Sequence, residues 1–169
     1  SLYWKQFYED ANIRKNSLFS IFVNEYISKI SNIIELGCGN GEDALYFYKS
    51  GHFVHTCDQS TNVLKNKEIL NKINFSILDV GDSVKLNTFL NNALVKKINS
   101  NSMVNMIYMR FFLHSVTKDI ENIILFCLKK NLPQGSLIGL EFRTEKDKDA
   151  LHIFKRHYRR FIPMREMIN

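Results

Sequence analysis

The sequence predicts an α/β fold: a doubly wound, mainly parallel sheet with helices on both faces. Three observations carry that expectation. The apolar period switches between strand-like and helix-like five times along the chain. Glycines and turn residues fall where it switches. The 169 residues are 45% hydrophobic and 24% charged, which suits one domain with a sizeable core and argues against disorder.

The elements follow in order. Residues 4–10 and 17–31 read as N-terminal helices ahead of the first strand. Asn32-Ile33-Ile34-Glu35-Leu36 is a short β-branched run that stops at Gly37. Residues 41–50 read as a helix with Ala44, Leu45, Phe47 and Tyr48 on its buried side and Gly51 ending it. Phe53-Val54-His55-Thr56-Cys57 is a strand, and Ser60 or Thr61 caps a helix running to about Leu70. Residues 75–78 are a strand, 84–97 a helix, and 103–109 the most hydrophobic strand. Residues 117–130 form a helix whose apolar stripe holds Ile120, Ile123, Ile124, Phe126 and Cys127. A turn at Pro133-Gln134-Gly135 leads to a strand over 136–142 and a final helix over 146–160. Strands that alternate with helices in this way lie parallel, with both faces covered. The expected organisation is one domain, with N-terminal helices in 1–31, a ligand-binding core in 32–142 and a basic helix and tail in 143–169.

The sharpest motif is Ile34-Glu35-Leu36-Gly37-Cys38-Gly39-Asn40-Gly41-Glu42-Asp43, a strand, a glycine turn and a helix start. Glycine suits a place where backbone turns hard or approaches a ligand closely. The dinucleotide fingerprint G-x-G-x-x-G does not fit, because its third glycine position holds Glu42. A glutamate at a helix N-terminus also opposes the pyrophosphate that the helix dipole would attract. S-adenosylmethionine has no phosphate, and its ammonium and sulfonium groups are compatible with an acidic lip. Asp58 ends the second strand, where an acid can accept both ribose hydroxyls of an adenosine ligand. Asp79 ends the third strand, placed to take an adenine amino group. Each acid alone also reads as a turn residue or helix cap. All three elements at the carboxyl ends of successive strands point to the crevice where open α/β sheets bind ligands.

Glu35-Leu36-Gly37-Cys38-Gly39-Asn40-Gly41, with Asp58 and Asp79, resembles motifs I, II and III of class I S-adenosylmethionine-dependent methyltransferases over most of residues 17–142. The resemblance implies a Rossmann-like fold and S-adenosylmethionine as cofactor, with S-adenosylhomocysteine as product. It implies that Gly37, Gly39 and Gly41 lie along the methionine part, that Glu35 orients its amino group, that Asp58 binds ribose and that Asp79 contacts adenine. Cys38, Gln59, Val80 and Met109 join that cofactor-binding set on the same basis. A narrower resemblance, to small bacterial methyltransferases of capsule or surface-polysaccharide synthesis, rests on three segments. These are Tyr3-Trp4-Lys5-Gln6-Phe7-Tyr8, Arg110-Phe111-Phe112-Leu113-His114 and His157-Tyr158-Arg159-Arg160-Phe161. The class usually ends in an antiparallel hairpin. Eight residues after Phe161 are too few for it, so the hairpin is expected to be missing or incomplete, with a break in the family pattern between about 162 and 163.

On the acceptor side, Arg110 interrupts the apolar run from Met103 to Leu113. It reads either as a strand-end residue reaching solvent or, the favoured reading, as an anion ligand in the cleft. His114 is a candidate general base or a packed or capping histidine. Residues 1–80 carry 8 Lys/Arg against 9 Asp/Glu, a balance of −1; residues 81–169 carry 15 against 8, a balance of +7. The basic excess suits an anionic partner or a solvated face. On a helix over 146–160, Leu151, Phe154, Tyr158 and Phe161 fall near one face, which makes Lys155, Arg156, Arg159 and Arg160 candidates for exposed or pocket-facing positions. Tyr158, Arg159 and Arg160 are the candidate substrate contacts. The expected partner is a small-molecule or sugar-linked acceptor. An RNA-binding or RNA-modifying protein is the alternative, but Met109-Arg110-Phe111-Phe112 stands where an N-P-P-Y-type motif would be, and no added binding domain is seen. A catalytically inert Rossmann-like module is the third reading. No H-x-x-x-H pattern or carboxylate cluster suggests a metal. Three cysteines without C-x-x-C, and no apolar leader or span, suit a reducing cytoplasm.

Overall fold

A computed structural model describes residues 16–27, 29–60, 72–95, 103–148, 158–163 and 165. Within them the chain runs α1 (Leu18–Ile27), β1 (Asn32–Leu36), α2 (Glu42–Lys49), β2 (Phe53–Asp58), β3 (Asn74–Ile77), α3 (Ser83–Ala93), β4 (Asn105–Arg110), α4 (Lys118–Asn131) and β5 (Leu137–Glu141), with 3-10 turns at Leu113–Ser115 and Glu145–Asp147. The strands make one parallel sheet in the order β3-β2-β1-β4-β5. All five expected strands are present, with ends moved by no more than two residues. The strand order reverses between β1 and β4, the switch point at whose carboxyl ends open α/β sheets bind ligands. Among the described residues no helix is long and apolar enough to cross a membrane.

The central strands are buried on both faces, which is why β1 and β4 read as apolar runs. Their side chains alternate with period two. Ile34, Leu36, Ile107 and Met109 join Leu86, Leu90, Ile124 and Leu128 on the α3/α4 side. Ile33, Met106 and Tyr108 join Val23, Ile27, Ala44, Leu45 and Phe47 on the α1/α2 side. Two buried asparagines close the amino end of the sheet: Asn32 Nδ2 donates to Asn105 Oδ1 at 2.8 Å and to the Ala93 carbonyl at 2.8 Å. Asn105 in turn brackets Val95, accepting from its amide at 3.0 Å and donating to its carbonyl at 2.9 Å. His52, which has no partner visible in the sequence, accepts from the Ser31 amide on Nδ1 and donates from Nε2 to Asn24 Oδ1. Burial holds its pKa below the ordinary histidine value.

The expected helix over 146–160 is corrected at both described ends. Thr144 and Asp147 form a reciprocal cap that supports only the 3-10 turn Glu145–Asp147. Residues 158–161 are irregular: the Arg160 amide donates to the His114 carbonyl at 2.8 Å, so it makes no i→i−4 bond. Thr144 instead forms a parallel bridge with Ile162, which is buried in the α3/α4-side core. The helices expected over 4–10 and 61–70, the last residues of 84–97, and Lys155, Arg156 and His157 lie outside the described residues.

Candidate functional site

β1 delivers the chain into the glycine turn at the crevice. Gly37, Gly39 and Gly41 have φ of 80°, 59° and 77°, the left-handed region that only glycine enters without strain. At Gly37 space is a second reason, because a Cβ there would stand 2.2 Å from Phe112 Cδ2. The Gly37 and Cys38 amides both donate to the Cys57 carbonyl, so the turn is tied to the end of β2. α2 then opens with Gly41 as N-cap and Glu42 and Asp43 in its first turn. That end of the helix favours anions, and the protein has already placed carboxylates on it.

The ends of β1 and β2 bring Glu35 and Asp58 near one another, with Asp43 of α2 beside them. Glu35 is buried beneath the turn, with Thr56 Oγ1 3.3 Å from its carbonyl oxygen. Burial pushes the Glu35 carboxyl well above its ordinary value, and the nearby Asp43 and Asp58 push it further. Asp58 Oδ2 accepts from the Gly39 amide at 2.8 Å, and its Oδ1 accepts from the Ser60 amide at 2.7 Å. Burial raises the Asp58 pKa, and those two amides oppose the rise. Asp79 is exposed at the next strand's exit and accepts from the Gly81 amide at 2.9 Å. Gln59 is exposed beside Asp58, and Cys38 is buried within the turn. Val80 and Met109 differ from the other expected cofactor residues, because their side chains belong to the α3/α4-side core.

Arg110 ends β4 in register with Glu141. Its Nε donates to Glu141 Oε2 at 3.0 Å, and its NH1 lies 3.8 Å from Asp43 Oδ2. Asp43 also accepts from the Ser17 amide at 2.6 Å, from Ser17 Oγ at 2.8 Å and from the Tyr108 hydroxyl at 2.8 Å. Burial, helped by the Asp43 carboxylate, pushes the Tyr108 phenol far up, so it stays a donor. Arg110 thus sits between a buried carboxylate and a half-buried one, and its side chain is 37% exposed.

Two acceptor-side expectations are relocated. His114 is 2% exposed, and its Nδ1 accepts from the Arg143 amide at 3.1 Å. That geometry gives the ring a structural task, holding the exit of β5 against the exit of β4. Arg160 donates from Nε to the Val116 carbonyl at 2.8 Å, from NH2 to the Leu113 carbonyl at 3.1 Å, and to the carboxylate of the buried Glu121. Its guanidinium is therefore an internal tie, not an acceptor contact. Tyr158 is more than half exposed and Arg159 is half-buried.

The family model described as tellurite resistance protein TehB matches residues 3–133, more than half of the chain. The chain belongs to the TehB family. No curated protein sequence matches it. Solved structures with the same fold as this TehB-family chain include a Burkholderia thailandensis 1,6-didemethyltoxoflavin-N1-methyltransferase with bound 1,6-didemethyltoxoflavin and S-adenosylhomocysteine, at 15% identity and TM-score 0.60. The match covers 88% of this chain and 61% of that one. A SAM-dependent methyltransferase from Archaeoglobus fulgidus matches at 16% identity and TM-score 0.55, over 76% of this chain and 53% of its own. The glycopeptide N-methyltransferase MtfA complexed with sinefungin matches at 11% identity and TM-score 0.58, over 92% and 62%. The chain thus spans a little over half the length of these structures.

Sequence reasoning missed three members of this site, Ser17, Asp43 and Tyr108. Glu141 is, with Asp79, a local carboxylate that the sequence offers Arg110 as a partner, and the structure pairs it there. Asp43 carried one signal, a charge among the apolar positions that α2 buries. Its partners Ser17 and Tyr108 lie 26 and 65 residues away, and no local pattern joins them.

Proposed function

We propose that this chain is an S-adenosylmethionine-dependent methyltransferase acting on a small, anionic or sugar-linked acceptor. The observation that carries the reading is the set of buried or half-buried carboxylates, Glu35, Asp43 and Asp58, around a turn of three left-handed glycines. That lip suits a cationic nucleoside and opposes a pyrophosphate. The donor set fits the cofactor. Gly37, Gly39 and Gly41 let it approach the backbone along its methionine part, and Glu35 faces its ammonium. Asp58 keeps acceptor capacity for the ribose beyond the Gly39, Gln59 and Ser60 amides. Asp79 takes the adenine amino group, with Cys38 and Gln59 flanking. When bound, the cofactor supplies a methyl group already activated on a sulfonium. The protein's own part is to align the acceptor, exclude water and hold its charge. Arg110 does the last on this reading, with Tyr158 and Arg159 as further contacts, and the basic second half of the chain steers anions toward it. A role in surface-polysaccharide synthesis rests on the resemblance of residues 110–114 and 157–161.

Calorimetric titration tests the reading. S-adenosylhomocysteine is expected to bind at least about tenfold more tightly than NAD, since only the latter brings a pyrophosphate to the acidic lip. Tighter binding of NAD would overturn the proposal. A second expectation concerns Asp58→Asn, which keeps an oxygen for the Gly39 amide but loses the charge. Loss of charge-assisted bonds to ribose, worth roughly 1.5–3 kcal/mol, should lower S-adenosylhomocysteine affinity about tenfold or more. An unchanged dissociation constant would place the ribose elsewhere.

A further inference from the structure

We propose that Arg143 and Arg110, both seated on the ring of Phe111, form an oxyanion-binding site for the acceptor at the exits of β4 and β5. The inference rests on the methyltransferase reading and assigns its acceptor a carboxylate or phosphate group. Arg110 Cζ lies 4.9 Å and Arg143 Cζ 5.1 Å from the Phe111 ring centroid, so no more than about 10 Å separates the two guanidiniums.

Three features mark this cluster as built. Phe111 has φ of 51°, the one non-glycine residue with positive φ among those described, and bulky residues hold that conformation only where their surroundings impose it. Its amide donates to the Glu141 carbonyl at 2.7 Å, and the next residue, Phe112, packs its ring on Gly37. The strained residue thus links the two arginines to the glycine turn. Arg143 is rooted on both sides of its backbone: its amide donates to His114 Nδ1 at 3.1 Å, and its carbonyl accepts from the Ile162 amide at 3.1 Å. Its side chain nevertheless stays 37% exposed.

Both guanidiniums have donors to offer. Arg110 hydrogen-bonds Glu141 through Nε, and Arg143 hydrogen-bonds Asp147 through NH1 at 3.3 Å. Both carboxylates are about one-third exposed, and exposed pairs of this kind are weak and exchangeable. A guanidinium carries five N–H donors in a fixed fork that matches carboxylate and phosphate oxygens. An acceptor oxyanion that reaches both can therefore displace Asp147 from Arg143 and use the remaining NH2 of Arg110, leaving its Nε on Glu141 and its NH1 beside Asp43.

The test uses the full chain saturated with S-adenosylhomocysteine and reads the arginine Nε–H resonances by NMR. Inorganic phosphate is the probe, with chloride at matched ionic strength as the control. Phosphate should shift the Arg110 and Arg143 signals saturably, and chloride should not. Arg143→Gln should weaken phosphate binding about tenfold and leave S-adenosylhomocysteine affinity unchanged. Asp147→Asn removes the competing carboxylate and should strengthen phosphate binding several-fold, so this arm decides even if Arg143→Gln fails to fold. Equal responses to phosphate and chloride, or no change in Asp147→Asn, would overturn the inference while leaving the cofactor reading intact. Failure of S-adenosylhomocysteine to bind, with the phosphate response as expected, would instead overturn the cofactor reading and support the oxyanion site.

Discussion

Arg110→Ala is expected to lower acceptor turnover on the order of a hundredfold, because loss of a positioning contact alone can cost that much. S-adenosylhomocysteine affinity should change little. The measurement is kcat/KM with a methyl acceptor found by screening, beside a calorimetric titration of the same variant. The structure sharpens what a contrary result would mean. Arg110 is paired with Glu141 and lies near the buried Asp43. If those pairs were its whole purpose, the variant would lose thermal stability and cofactor affinity together. The screen should favour phosphorylated, nucleotide-linked or uronic acceptors over neutral ones. Arg110→Lys separates charge from shape, since lysine keeps the charge and loses the fork. It should recover only part of the turnover.

Glu121→Gln is expected to produce the largest loss of stability. The Glu121 side chain is buried and held by Lys118 at 2.6 Å and by Arg160. Removing one member of a buried ion cluster leaves a charge uncompensated and costs about 3 kcal/mol here, the low end because half-exposed Lys118 can turn to solvent. For a chain of this size that is roughly 6–12 °C in melting temperature. Acid should act on the same cluster. Burial raises the Glu121 pKa, but the Lys118 and Arg160 hydrogen bonds outweigh it and the net shift is downward. A group whose folded pKa is depressed stabilises fully above its unfolded value, near 4.5, and loses that contribution as pH falls through the folded value. The gap in melting temperature between wild type and Glu121→Gln should therefore narrow below about pH 4.5. A constant gap would show that the cluster contributes through packing alone.

The legible parts of this protein were those governed by local rules. Short apolar runs marked the five strands, three of them set off by Gly37, Gly51 or Gly135, and burial on both faces makes β1 and β4 read as largely apolar. Gly37, Gly39 and Gly41 were legible as a turn because left-handed backbone has few other sources. Contacts that bridge distant parts of the chain were not legible. Arg160 looked like part of a solvated or pocket-facing helix, yet its three side-chain partners lie 39 to 47 residues away. The local apolar spacing around Tyr158 is compatible with a helix. What ends that pattern is the Arg160 amide bonding to His114, a tertiary preference with no trace in the segment itself. Arg143 escaped notice for the same reason, since its partner ring at Phe111 lies on another strand's exit.

The buried amide pair Asn32–Asn105 guards the accuracy of the crevice from the opposite end of the sheet. It joins β1 to β4 across 73 residues, whereas Asn32 aligns with Phe53 on β2 only 21 residues on. Loop closure over the longer span costs about 1 kcal/mol more chain entropy, so the Arg110 half of the crevice is the harder one to bring home. A slip of one residue would also turn Tyr108 and Met109 to the wrong faces and carry Arg110 away from Asp43. That slip would strand buried amides at Asn32 and Asn105, a penalty of the same order as the whole entropic handicap. An aberrant pairing is thus rejected at the far end, before any ligand meets the misaligned one.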